Sequence, residues 1–379
     1  MSLVDKISQI KNKFKLKKMK KIKNVLIKLE LDGVGVVNMD SNSQKWVLRK
    51  THLNNLNDNV SFAKKVFTEN NNPDDKSDVD YKLKISDDCI LNNVFRYDYI
   101  APTPNIIHHP ALLYANIASP VSILRGYLYP SPNETLRRKG SLKLTAAIQT
   151  CDAKSMLETF SRSGEKKSND GSDDKKDTTF FSKETVGEIR YEVKGNIDLM
   201  SLQFLPCDAI FDRYQLNPDY FNLYKTFLQK KMPNFNSELG YFQLKNSSIE
   251  IPEYGVMLSE ENVNFLVKEA LKRLLTVNIV RKGAYANTTS LKIKLVTDPI
   301  SDTFNNDSNW IDIRTQNDID VLKLDVHEFY ELVDIEKAKE FRNDFQLKID
   351  AAKIAEKEMK KKKAADKKKN KEANDDDNE

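Results

Sequence analysis

"IKNVLIKLELDGVGVVN", residues 22–38, sets the frame for the chain. Val25, Ile27, Leu29 and Leu31 alternate with Lys28 and Glu30, which is the two-residue period of a half-buried strand. Gly33 and Gly35 follow and permit a bend or a close backbone approach. A strand with one apolar face needs a layer to cover it. The clearest such layer is "SEENVNFLVKEALKRLL", residues 259–275. Ser259 is placed to cap this helix, and Glu260 and Glu261 lie in its first turn. Val263, Leu266, Val267, Ala270, Leu271, Leu274 and Leu275 mark an apolar stripe at helical spacing. A second helix start stands in "ISDDCILNNVFRYD", residues 85–98. There Ser86 is the cap, Asp87 and Asp88 suit the positive end, and Ile90, Leu91, Val94 and Phe95 face inward. Ile189, Tyr191 and Val193 alternate as a strand, and another strand is predicted over 291–297. The order strand, helix, strands, helix, strand predicts an α+β fold of the ferredoxin-like split βαβ kind: an antiparallel sheet covered by two helices. A doubly wound parallel sheet would need more strand–helix repeats.

Between these elements lie segments of other character. "PTPNIIHHP", residues 102–110, is proline-bounded and too interrupted for a long helix. Residues 110–129 read as one or two buried helical pieces. Residues 68–80 have loop composition. Residues 161–179 are rich in Ser, Gly, Asp and Lys, and are predicted to be a flexible excursion. A charged helix is predicted from about Glu336 into the lysine-rich end.

The 379 residues carry 61 Lys and Arg against 56 Asp and Glu, a net +5 that decides nothing by itself. Its distribution says more. Both ends are lysine-dense, as solubilising tails or nucleic-acid arms are. Residues 3–19 also fit a basic amphipathic helix with Leu3, Ile7, Ile10 and Phe14 on one face, a form that can lie on an anionic membrane. Lysines interrupt every apolar stretch near the start, so no signal peptide is predicted. No apolar run reaches the length of a membrane span, which is about 18 residues or more. Cys89, Cys151 and Cys207 are too few and too widely spaced for a disulfide framework or a cysteine zinc site. A cytoplasmic location without membrane contact is expected.

Catalytic signatures are missing. His52, His108, His109 and His327 show no metal-ligand spacing, and neither a nucleophile elbow nor a phosphate-binding glycine loop is present. No metal and no cofactor are expected, and the chain is read as a non-enzyme. The cationic stretch "LRGYLYPSPNETLRRKGSLK", residues 124–143, is the stronger signal. Arg125, Arg137, Arg138 and Lys139 surround two turn prolines. Arginine offers forked donors to phosphate oxygens and lysine a mobile point charge. Gly140 and Ser141 let backbone and hydroxyl approach a phosphate. Tyr127, Tyr129, Phe180, Phe181 and Tyr191 supply flat faces on which unstacked bases can rest. The residues alone leave open the alternative that these aromatics are core and the arginines pair with neighbouring acids.

Five pieces in order, "KLELDGVGVVN", "ISDDCILNNVFR", "SILRGYLYP…RRKGSL", "DTTFFSKETVGEIRYEVKGNIDLMSLQF" and the 259–297 helix and strand, resemble the backbone subunit of CRISPR Cascade-like surveillance complexes. The resemblance is to the Cas-seven group of RAMP-type proteins, nearest to the variant type I-F and type IV-like branch, and it covers about residues 22–298. It implies a modified RNA-recognition-motif palm elaborated by inserted thumb and finger elements. It implies head-to-tail copies along the CRISPR RNA (crRNA), a target nucleic acid, DNA ahead of RNA, and other effector subunits as partners. Residues 1–21 would then be a basic arm, 22–335 the palm domain with flexible inserts at about 50–84 and 160–180, and 336–379 a charged helix and tail. Carried onto this chain, the RNA-binding positions are Ser86, Arg96, Arg125, Gly126, Arg137, Arg138, Lys139, Ser141, Phe180, Phe181, Ser182 and Lys183. Relatives often have an arginine in the middle of the first-helix motif, where this chain has Leu91 and Asn92. Two rivals stand beside this reading. One is a type III-like subunit cleaving target RNA with a divalent metal at Asp87 or Asp88; the other is a generic single-stranded RNA-binding protein.

Overall fold

The computed structural model describes residues 21–35, 39–42, 45–48, 50–52, 81–96, 98, 103–130, 135–151, 155–165, 176–208, 213–248, 251–281, 284–348, 351–352 and 359. The basic arm, the 68–80 segment and the lysine-rich end fall outside this description. Contacts group the chain into two compact units where the sequence reading draws one domain over 22–335. One unit comprises residues up to Gln203, Asn222–Asn236 and Leu258–His327; the other comprises Phe204–Phe221, Ser237–Met257 and residues from Glu328 on.

The first unit is built on an antiparallel sheet centred on strand Asn24–Val34. This strand pairs with Glu188–Asp198 on one side and with Ala284–Val296 on the other, so that Leu29 stands opposite Val193 and Leu291. Its alternation is realised: Val25, Ile27, Leu29 and Leu31 are all completely buried. Beyond Glu188–Asp198 the sheet continues through Ala147–Gln149, Tyr81–Ile85 and Lys50–His52, with Leu142–Leu144 also on that strand. At the opposite side Asn278–Arg281 and Ile311–Ile313 both pair with Ala284–Val296.

Two helices carry the predicted apolar stripes. In Asp87–Val94 the Ser86 hydroxyl accepts from the Cys89 N–H at 3.4 Å, and Ile90, Val94 and the C-cap Phe95 are buried. In Glu260–Leu275 the Ser259 hydroxyl accepts from the Asn262 N–H at 3.2 Å. Val263, Leu266, Val267, Ala270, Leu271 and Leu274 are buried there, and Leu275 is half-buried. The architecture is α+β, as the order of elements predicts. The proline-punctuated stretch becomes three short helices, Pro104–Ile107, Pro110–Ile117 and Pro120–Arg125, each with proline in its first turn. Proline suits that position because the missing N–H has no intrahelical partner there.

The two ends of the low-complexity insert, 161–165 and 176–179, lie on paired strands. Ser155–Glu165 and Lys176–Val186 pair antiparallel along their whole length, leaving residues 166–175 outside the described part. Backbone hydrogen bonds in a hairpin need no apolar burial, and Thr178, Thr179, Phe180 and Phe181 are strand-favouring types. The second unit has its own sheet, in the order Arg213–Tyr214, Phe204–Asp208, Glu253–Met257, Leu239–Leu244, Tyr330–Val333. Phe204, Phe242 and Tyr330 form its core. Residues 335–348 are helical, close to the predicted start at Glu336. Arg342 from that helix pairs with the buried Asp208.

Candidate nucleic-acid interface

Strands Gly126–Pro130 and Thr135–Lys139 form a two-stranded hairpin in which Gly126 faces Lys139, Tyr127 faces Arg138 and Leu128 faces Arg137. Successive side chains on a strand point to opposite faces, so three consecutive cations cannot share one. Arg137 and Lys139 are exposed, and Arg138 between them is 5% exposed. Its Nε donates to the Ile123 carbonyl at 2.8 Å, and its Nη2 donates to the Ser201 carbonyl at 2.9 Å and the Ser141 hydroxyl at 3.1 Å. Ser141 is completely buried and also accepts from the Ser201 hydroxyl at 3.1 Å. Arg138 and Ser141, expected at phosphates, are thus both buried, with hydrogen bonds that join the hairpin to Ile123 and Ser201.

The aromatics split the same way. Tyr127 and Tyr129 turn inward with Arg138, and the Tyr129 hydroxyl accepts from Asn116 Nδ2 at 2.7 Å. Tyr191 is also core, and burial pushes its phenol well above the ordinary range. These three offer no face to a base. Leu128, over half exposed beside Arg137, is an apolar member of the open face that composition did not single out. Alternation within "YLY" was the signal for it.

The "LRG" and "KGS" motifs meet backbone to backbone. Gly126 has φ of +82°, and a Cβ there would lie 2.4 Å from the Arg138 carbonyl oxygen; one at Gly140 would lie 2.4 Å from that of Arg125. Neither position admits a side chain. Arg125 ends helix Pro120–Arg125, and its Nη2 donates to Asn92 Oδ1 on helix Asp87–Val94. Asn92 thus aims Arg125. Arg96 is exposed just past the C-cap Phe95 and four positions on from Asn92. Helix Asp87–Val94, helix Pro120–Arg125 and the basic hairpin are in this way tied together through Asn92 and the glycine crossing.

Other predicted positions take different places. Ser86 is engaged as an N-cap. Asp87 and Asp88 are exposed in the first helical turn. Phe180, 62% exposed, and the half-buried Ser182 lie on Lys176–Val186. Phe181 and Lys183 lie on the same strand, with side chains outside the described part. This strand and the basic hairpin belong to separate sheets. Among the described residues, no group of three or more His, Cys, Asp or Glu could hold a metal ion. Nor is any described helix long and apolar enough to cross a membrane.

The pattern of the family described as "Type I-Fv CRISPR-associated protein Cas7fv-like" matches residues 21–318. The chain belongs to the Cas7fv-like family. It is a Cas7 backbone subunit of a type I-F-like CRISPR system. Among solved structures, one chain titled "CRISPR RNA-guided surveillance complex" aligns with a TM-score of 0.31 and 10% identity, covering 71% of this chain and 68% of the other. A second, titled "CRISPR RNA-guided surveillance complex, pre-nicking", aligns with a TM-score of 0.35 and 8% identity, covering 71% and 77%. At such scores the family match alone carries the assignment. No curated protein matches the chain.

Proposed function

We propose that this Cas7fv-like subunit holds a crRNA by its sugar–phosphate backbone, using Arg96, Arg125, Arg137 and Lys139. The observation that carries the reading is the alternation in the basic hairpin. Arg138 is locked inside, so Arg137 and Lys139 project from a backbone that cannot swing. Arg125 is held ready by Asn92. Cations on rigid elements lose little freedom when they engage phosphate. Contacts of this kind position the strand without reading it, so binding is indifferent to spacer sequence.

The strand order 284–296, 24–34, 188–198, 142–149 with two helices supports reading the main sheet as an RNA-recognition-motif-like palm. The 155–165 and 176–186 hairpin, with Phe180, Phe181, Ser182 and Lys183, is the inserted thumb in this reading. Copies joined head-to-tail make heterologous contacts, which produce an open filament whose length the guide sets. The bases left free pair with a target strand, DNA rather than RNA, and other effector subunits complete the complex.

Replacing Arg137 and Lys139 together by alanine tests the proposal. The expected result is a several-fold loss of copurifying RNA with an unchanged melting temperature. Undiminished RNA would overturn it. The exposed Asp87–Asp88 pair favours one rival, metal-dependent cleavage of target RNA. Regular cuts in labelled complementary RNA with Mg²⁺, abolished by Asp88→Ala, would establish that rival; intact RNA supports the scaffold.

A further inference from the structure

The outer edge of strand Ala284–Val296 carries two short partners with a gap between them. Asn278–Arg281 pairs with residues 284–287, and Ile311–Ile313 pairs with residues 291–293. On the inner side, the register with Asn24–Val34 shifts between Glu30 and Leu31, at Thr289. Such bulges re-aim side chains and recur beside binding sites. A pocket of about 500 Å³ opens at this gap, with apolar walls from Leu275 and Ile313. That volume falls within the usual range of ligand sites, roughly 300–1,000 Å³.

The polar lining has the chemistry of a nucleotide site. Lys292 and Arg314 stand at the pocket, with side chains 45% and 82% exposed. Asp312 lies between them, 3.8 Å from Lys292 Nζ and 3.7 Å from Arg314 Nη2, beyond hydrogen-bond length in both cases. A phosphate, with more charge and more acceptor oxygens, can displace so loose a partner. The Thr288 and Thr289 hydroxyls donate to the Leu274 and Glu30 carbonyls, at 2.7 and 3.5 Å, which leaves their oxygens as acceptors. Earlier on the same strand, Tyr285 is 44% exposed opposite the exposed Val280. It offers a face on which a base can stack.

We propose that this pocket is a nucleotide subsite for a single-stranded nucleic acid other than the guide, with phosphate on Lys292 and Arg314 and, several nucleotides along, a base on Tyr285, which lies about 20 Å up the same strand. The inference rests on reading the chain as a nucleic-acid-binding subunit, but it uses no residue of the basic hairpin. The test is fluorescence anisotropy of labelled oligo-dT and oligo-rU with the full chain as purified with its RNA. Lys292→Glu with Arg314→Glu should weaken binding at least tenfold, and Asp312→Asn should tighten it several-fold. RNA content should stay as in the wild type in both variants. Melting curves check folding, and Lys292→Gln with Arg314→Gln replaces the charge reversal if that misfolds. Wild-type affinity in the charge variant, or no tightening in Asp312→Asn, would overturn the proposal. Copurifying RNA lost in step with oligonucleotide binding would assign the pocket to the guide and overturn a separate subsite. The Arg137/Lys139 variant tests the guide reading independently.

Discussion

Arg137, Arg138 and Lys139 are adjacent in sequence and opposite in role. Arg138 donates to the buried Ile123 carbonyl, the part-buried Ser201 carbonyl and the buried Ser141, so Arg138→Ala removes the guanidinium donor from both carbonyls, while Ser141 keeps the Ser201 hydroxyl. A cost of about 3 kcal/mol is expected from such a loss, read as a shifted midpoint in denaturant. Arg137→Ala, at an exposed position, should leave that midpoint within about 0.5 kcal/mol of wild type. Composition made the cationic cluster legible. The side to which each cation points was not, because the segment read as a turn and is a strand. The tie between Arg125 and Asn92 joins residues far apart in sequence, which no local pattern can show. Asp32 and Arg190, opposite each other on neighbouring strands, form a forked pair at 2.8 and 3.1 Å. The hydrogen bond from Arg190 holds the Asp32 carboxyl below its ordinary value of 3.8. Its stabilising contribution is therefore present above 3.8 and is lost as pH falls through the lower folded value. Both side chains are more than a third exposed, so the contribution is small. The difference in melting temperature between wild type and Asp32→Asn should be constant at neutral and mildly acidic pH and shrink in stronger acid.

At the scale of elements, helix Glu260–Leu275 was legible almost residue by residue, because cap, acidic first turn and apolar stripe agree. Leu271→Ala, at a completely buried site, should cost about 3 kcal/mol, whereas Ser259→Ala should cost about 1. Equal costs, measured by denaturant unfolding, would mean the stripe does not govern this helix. The central strand was legible for the same reason: its two-residue period matches its burial. The 155–186 hairpin was legible only in part. Its two strands are held by backbone pairing, and low hydrophobicity masks that. The short strands at the sheet edge were not read either, since three or four residues carry too little periodicity.

For the whole molecule, the order of strands and helices gave the α+β class, and motif order gave the family. The division into two units stayed hidden because the second is assembled from three separated stretches. Hydrophobic periodicity reports local structure and not which distant segments meet. Binding of the guide is the property of the whole subunit that its cations should govern. The most direct measurement is guide-RNA affinity as a function of salt, for wild type and for Arg137→Ala with Lys139→Ala. Each phosphate contact on a single strand contributes about −0.7 to the slope of log affinity against log salt, so losing two should make the slope shallower by about 1.4. Parallel lines for the two proteins would contradict the account.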